Sequence, residues 1–432
     1  MFLGCGFRQA FDIILVLQFV ALLISYALAG SEAYAQVIGV NYFYVIPVFV
    51  WVLTLAIVFA LHLVQPVVSI LTFFKGSLLL GTVIVTFYVG AEVHREIKND
   101  FSAVGAPFLM GTVALGGVIN TMPLMYSKIS PVKNQVKNFR FAVNAGLMTC
   151  TILNVLWCWA VLDIVPQLSI HPCSTSSSKN NTYSSSAICI SNISLESAAA
   201  QGEISTIPLS RVIEEKYPTF TWVAFLVNIF IMVSITVSYL TVGAVLHHTL
   251  HGWLTSFWRV KEDSLYNRSK SKQPYCNIQC VCSSVVSLTV FGIVFGIAML
   301  DPKGFVDMLE KFSSFTLNIE AGVFVFLMLL SARKKENLMH KIPVPLPGAF
   351  RFLLFTVPLY FCFAVVYDVY VTVAAIIHEQ SHKEHFVIAT QGALNVTHPT
   401  VLYSGAGHTN TQTTEGPINV FNSSFTNFSN VF

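Results

Sequence analysis

The chain has 432 residues, of which 54% are hydrophobic and only 10% charged, with a formal net charge of +3 and a mean hydropathy of +0.68. Soluble domains carry about a quarter charged residues, so a soluble globular protein is excluded and a polytopic membrane protein is expected. The small positive surplus gives no basic face for nucleic acid; what matters is where the charges fall.

About nine apolar segments are long enough for the ~30 Å hydrocarbon core. Their limits are 10–31, 43–63, 66–90, 104–126, 141–166, 219–247, 280–300, 313–333 and 351–378. Arg8, the run behind it and Ala27-Leu28-Ala29 also read as a signal peptide with its cleavage site. The run is long for that role, so a retained first span is favoured. Spans two and three are almost continuous, with the turn expected at His62, Gln65 and Pro66.

Lys75, in SILTFFKGSLLLG, lies about 14 Å into span three at the helical rise, too deep for easy snorkelling. A lysine in such surroundings can load and release a proton near neutral pH. The plainer alternative is a structural cation resting on helix-end carbonyls. Asp163, Glu320 and Asp368 fall nearer the external ends of their spans, where interfacial solvation accounts for them, although Glu320 is deep enough to keep in view.

Span four is apolar enough to cross a bilayer yet built to come apart. Gly116 and Gly117 weaken the helix, and Pro123 removes a donor from the carbonyl of Ile119. Asn120 and Thr121 sit inside that turn. Such a break is tolerated where it lines a cavity or is buried in protein, and in transporters it holds substrate near the midplane. A Gly/Pro kink serving helix packing is the competing reading. Span six places Ser234, Ser238 and Thr241 on one helical face. Their oxygens suit a hard cation, or they bond back to the preceding turn.

Loop charge sets the orientation. Lys128, Lys133, Lys137 and Arg140 lie between spans four and five. Arg259, Lys261, Arg268, Lys270 and Lys272 follow span six, and Arg333, Lys334, Lys335 and Lys341 follow span eight. That side is cytoplasmic, so the N terminus is inside and the C terminus outside. N-glycosylation triplets fall on the other side: Asn180 and Asn192 in loop 167–218, and Asn395, Asn422 and Asn427 in the tail. Asn267 fits the triplet but lies among the basic loops and is expected to be unmodified. Cys173 and Cys189 share the oxidising side and are a candidate disulfide. Loop 167–218 and the tail from about residue 379 are rich in Ser, Thr and Asn and read as solvated, poorly ordered segments. The chain is therefore expected to hold one membrane domain, 1–378, and a polar tail, 379–432. No nucleophile elbow, phosphate-binding glycine loop or His/Glu metal motif occurs, so neither enzymatic activity nor a cofactor is expected.

The stretch Asn120–Tyr126, NTMPLMY, follows an acidic-aromatic lead-in and a small-residue run and precedes the basic loop Ser127–Arg140. With span 222–247 and the amphipathic stretch His247–Trp258 behind it, this order resembles the sixth and eighth helices of the amino acid/auxin permease group. The resemblance implies an all-α, LeuT-like inverted-repeat bundle of the APC superfamily. Spans one to nine would correspond to helices three to eleven. The family's first two helices would then be missing, either because the chain is incomplete or because it is a shortened protein.

The resemblance further implies a substrate pocket at Gly116, Gly117, Asn120 and Thr121, taking an amino acid or related small amine. Lys75 would face Ser234, Ser238 and Thr241 as an ion-coupling group, with a proton favoured over sodium. The expected activity is secondary amino acid transport at the plasma membrane or an endolysosomal membrane. A non-transporting nutrient sensor or partner subunit is the alternative.

Overall fold

Long apolar runs can satisfy their backbone groups in lipid only by closing into helices, and the chain does so. The structure, a computed structural model, describes residues 5–93, 104–121, 132–168, 193–201, 203–265, 275–300, 312–332 and 355–374. It also describes the short pieces 170–172 and 188–190 and isolated positions between these segments. In chain order the elements are α1 (Cys5–Ile38), α2 (Tyr42–Phe59), α3 (Leu61–Val93), α4 (Gly105–Gly116) with a 3-10 extension Gly117–Thr121, and α5 (Lys133–Ile164). A small antiparallel ribbon follows, β1 (Ile170–Pro172) with β2 (Ile188–Ile190), pairing His171 opposite Cys189. Then come α6 (Leu195–Gln201), α7 (Thr206–Lys216), α8 (Thr221–Leu265) and α9 (Tyr275–Leu300). After these lie α10 (Ser314–Ile319), a π-helical turn (Glu320–Phe324) and α11 (Val325–Ala332). The last helix is α12 (Phe355–Ala374). Residues 1–365 belong to one compact unit; the second begins at Val366 and includes the end of α12.

Among the described residues, eight helices are long and apolar enough to cross a membrane, counting α10, the π turn and α11 as one. The chain is thus a polytopic helical membrane bundle. α1 is its central helix: 67% of its most apolar stretch is buried, against 11% for α3 and for α5. Phe19 and Leu23 of α1 are fully enclosed among Ile46 and Ile57 of α2, Tyr239 and Leu246 of α8 and Phe291 of α9. Facing outward on α3, Ile70, Phe73, Phe74 and Ile84 form the lipid-compatible belt expected of a membrane bundle.

Side-chain pairings show that the helices alternate in direction. Arg8 reaches Ser256 while Tyr34 meets Thr236, so α1 runs antiparallel to α8. Thr54 beside Tyr239 and Ile57 against Gly243 make α2 parallel to α8. Lys75 on Ser238 and Tyr88 on Phe220 make α3 antiparallel to it. Phe87 with Trp159 and Gly90 with Asp163 set α5 parallel to α3. His247 with Ser287 and Gly243 with Phe291 turn α9 back along α8. The start of α5 and the end of α8, which border two of the basic loops, therefore lie at the same end of the bundle as Arg8.

Two expectations are corrected. The turn between spans two and three is at Ala60 (φ −124°, ψ 29°), and Pro66 lies inside α3. The amides of Leu63 and Val64 bond straight back to the Ala60 carbonyl, so the helix resumes at once. Secondly, loop 167–218 is not solvated throughout. Its later part forms α6 and α7, with Leu209, Val212 and Ile213 fully buried against Val161, Ile164, Val223 and Ala224. The hydrophobic residues of α7 recur at helical spacing within a polar-looking stretch, and one apolar face is enough to dock it.

Candidate functional site

α4 ends where the two glycines stand. Gly117 keeps helical angles (φ −57°, ψ −12°) and its amide still reaches Val113, but the chain then tightens into 3-10 geometry through Thr121. Gly116 lets α10 approach closely: a Cβ there would lie 2.7 Å from Leu317 Cδ2, so that leucine would have to shift. One turn further on, Asn120 is 6% exposed, and its Oδ1 accepts from Nε2 of Gln18 on α1 at 3.2 Å. Gln18 is itself 1% exposed. The break is therefore packed against α1 and α10, inside the bundle. The Thr121 side chain and Pro123 lie outside the described residues.

The segment facing α4 is also irregular. Val325 N–H bonds to the Glu320 carbonyl, closing a π turn over Glu320–Phe324 between α10 and α11. Single π turns inside helices carry one extra residue and recur at functional sites. Phe324 stacks edge-on against Phe11 of α1, so this segment touches both α1 and α4. It brings in Ser313, Ser314, Asn318 and Glu320, all buried. Asn318 Nδ2 donates to Ser314 Oγ at 3.1 Å. Among the described residues, Gln18 Oε1, Ser313 Oγ, Asn318 Oδ1 and Glu320 Oε2 have no hydrogen-bond partner. Interfacial solvation therefore does not account for Glu320, which is 1% exposed.

The second polar cluster is centred on Ser238. Lys75 Nζ donates to Ser238 Oγ at 3.1 Å, and Ser238 Oγ donates to the Ser234 carbonyl at 2.9 Å. Tyr26 of α1 lies close to the Ser238 hydroxyl. With its single proton committed to Ser234, Ser238 acts as the acceptor for Lys75. Ser234 thus contributes its backbone carbonyl. Thr241 bonds back to the Val237 carbonyl at 2.7 Å, the local arrangement that competes with ion binding. Cys150 of α5 is also close to Lys75.

The structure thus brings Lys75 and Ser238 together, and separately encloses Gly116 and Asn120. α1 passes through both places: Gln18 and Tyr26 are about 12 Å apart along its axis at the helical rise. Sequence reasoning missed Gln18 and Asn318, although each is a polar side chain inside an apolar run and so carried a usable signal. Cys189 sits in β2, while Cys173 and the glycosylation candidates Asn180, Asn192, Asn395, Asn422 and Asn427 lie outside the described residues, as does Asn267. Among the described residues no group of three or more His, Cys, Asp or Glu side chains is arranged to hold a metal ion. In comparisons with known proteins, no family model, curated protein or solved structure matches the chain.

Proposed function

We propose that the chain is a secondary-active amino acid transporter of the amino acid/auxin permease group, built on a LeuT-like inverted repeat. The observation that carries this reading is the interruption of an apolar helix at Gly116–Thr121, enclosed by α1 and α10 and holding the buried Asn120–Gln18 bond. Where a helix breaks inside a bundle, freed N–H and C=O groups present partial charges of both signs. An amino acid offers one group for each, its carboxylate and its ammonium. Rocking of the surrounding helices about the break then exposes the site to either side in turn. N-glycosylation signals opposite the basic loops suit passage to the plasma membrane or an endolysosomal membrane.

Lys75 supports a proton as the coupling ion. Among the described residues its ammonium is held by a hydroxyl and not by a carboxylate. Losing the proton therefore leaves no buried counter-charge stranded, and it weakens the bond that holds α3 to Ser238 on α8. Tyr26 of α1 lies close to that serine, and α1 also carries Gln18 at the break.

The test is uptake of a mixed radiolabelled amino acid pool into proteoliposomes containing this chain, under an imposed pH gradient and under a sodium gradient. The expected result is uptake driven by the pH gradient and lost in Lys75→Ala. No uptake under either gradient from folded protein would overturn the transporter reading. Sodium-driven uptake indifferent to Lys75→Ala would overturn the coupling.

A further inference from the structure

Glu320 is a carboxylate at the start of a π turn, 1% exposed, with Oε2 meeting no donor among the described residues. Two side-chain amides in the same junction carry the same deficit. Gln18 Oε1 (residue 1% exposed) and Asn318 Oδ1 (0% exposed) lack donors, while the nitrogens of both amides are engaged, with Asn120 and Ser314. The carboxylate and both amide oxygens are acceptors, on α1, in α10 and at the π turn behind it; Ser313 Oγ, also without a partner among the described residues, can donate or accept. An ionised carboxylate buried without a partner is strained by several kcal/mol, and buried acceptors without donors are rare enough to need an explanation. Glu320 shares a helical face with Leu317, which packs over Gly116, while Asn318 points to another face, so a positively charged group rich in N–H donors beside the break meets the Glu320 carboxylate.

Their location says what brings that group. Leu317 fills the space above Gly116, Asn318 is the next residue and Glu320 lies one helical turn beyond. Gln18 holds Asn120 within the break itself. If the freed backbone groups of the break take the α-carboxylate and α-ammonium, Glu320 remains for a second positive charge. We propose that Glu320, with Gln18 beside the break, recognises a cationic group on the substrate, an ammonium or guanidinium, so that the preferred class is basic amino acids or related diamines. This inference rests on the reading of the Gly116–Thr121 break as the substrate site.

The test is the melting temperature of the full chain in lipid nanodiscs, followed by tryptophan fluorescence. The probes are arginine and lysine, their uncharged counterparts citrulline and norleucine, guanidinium alone, and sodium against potassium chloride at equal ionic strength. The expected result is stabilisation by arginine and lysine at concentrations at least tenfold below those the neutral counterparts need. That advantage should vanish in Glu320→Gln and be partly kept in Glu320→Asp, with the citrulline response unchanged. Because Glu320→Gln removes a buried charge without changing shape, the variant should fold. Equal responses to arginine and citrulline would overturn the cation site and leave the transporter reading standing. Stabilisation by guanidinium alone, dependent on Glu320 and with no response to any amino acid, would keep the cation site and overturn the amino acid reading. A Glu320-dependent response to sodium alone, or no response to any probe, would overturn the proposal.

Discussion

Ser238 ties α3 to α8. Its one hydroxyl receives Lys75 from α3 and is anchored on the Ser234 carbonyl of α8. Ser238→Ala removes the acceptor from the Lys75 ammonium in a part-buried place, a change that costs about 1–3 kcal/mol. The melting temperature should fall accordingly, and Ser238→Thr, which keeps the hydroxyl, should restore most of it. If Ser238→Ala melts with the parent, the network is not stabilising. Lys75 was legible in the sequence because one cation in a long apolar run stands out and its depth follows from the helical rise. Glu320 was only half legible: its distance from the external start of span eight kept it in view, but its burial depends on packing against α1, hundreds of residues away in sequence.

At the scale of elements, lengths follow from apolar runs, but the points where helices stop depend on contacts. Four of the long helices, α2, α3, α9 and α12, end within a few residues of the expected limits. The turn at Ala60 has no Gly or Pro to announce it, and the π turn at Glu320 has no local signature at all. The glycines of the break do carry a signal, though their roles differ. A Cβ on Gly243 would meet Ile57 Cδ1 at 2.5 Å and the Phe291 ring at 3.3 Å, so both sides resist it. At Gly116 the clash is with one flexible leucine methyl, and at Gly117 nothing lies within 4 Å. Overpacking of the first kind costs about 1–3 kcal/mol, whereas Gly to Ala at an unstrained helical position gains about 0.4–1 kcal/mol. The expected order of melting temperatures is Gly117→Ala at or above the parent, then Gly116→Ala, then Gly243→Ala. If the break is a working hinge, Gly117→Ala should also slow uptake while it stabilises. A gain in both stability and uptake would make the glycines packing residues only.

Across the whole molecule, the segment between α5 and α8 behaves as part of the bundle. α7 presents Leu209, Val212 and Ile213 inward, where they meet Ala33 of α1, Val89 of α3, Val161 and Ile164 of α5 and Val223 of α8. Four helices are thus tied together at the end opposite Arg8. Glu203 and Arg211 close the cap with paired bonds of 2.9 and 3.0 Å, and Glu32 of α1 lies close to both. The Ser- and Asn-rich composition of 167–192 masked this in the sequence, because a single apolar stripe on an 11-residue helix changes composition little. If the cap clamps the helix ends, a truncation on its inner face should be felt globally and one on its outer face should not. Ile213→Ala removes a fully buried side chain and should cost about 2–5 kcal/mol, lowering the melting temperature of the whole bundle. Glu214→Ala, one position away on the exposed face, should stay within about 0.5 kcal/mol of the parent. Protease added from the outer side should cut within 193–217 in Ile213→Ala before the bundle melts, and in Glu214→Ala only afterwards. Equal melting temperatures for the two variants would mean that α7 rests on the bundle without holding it.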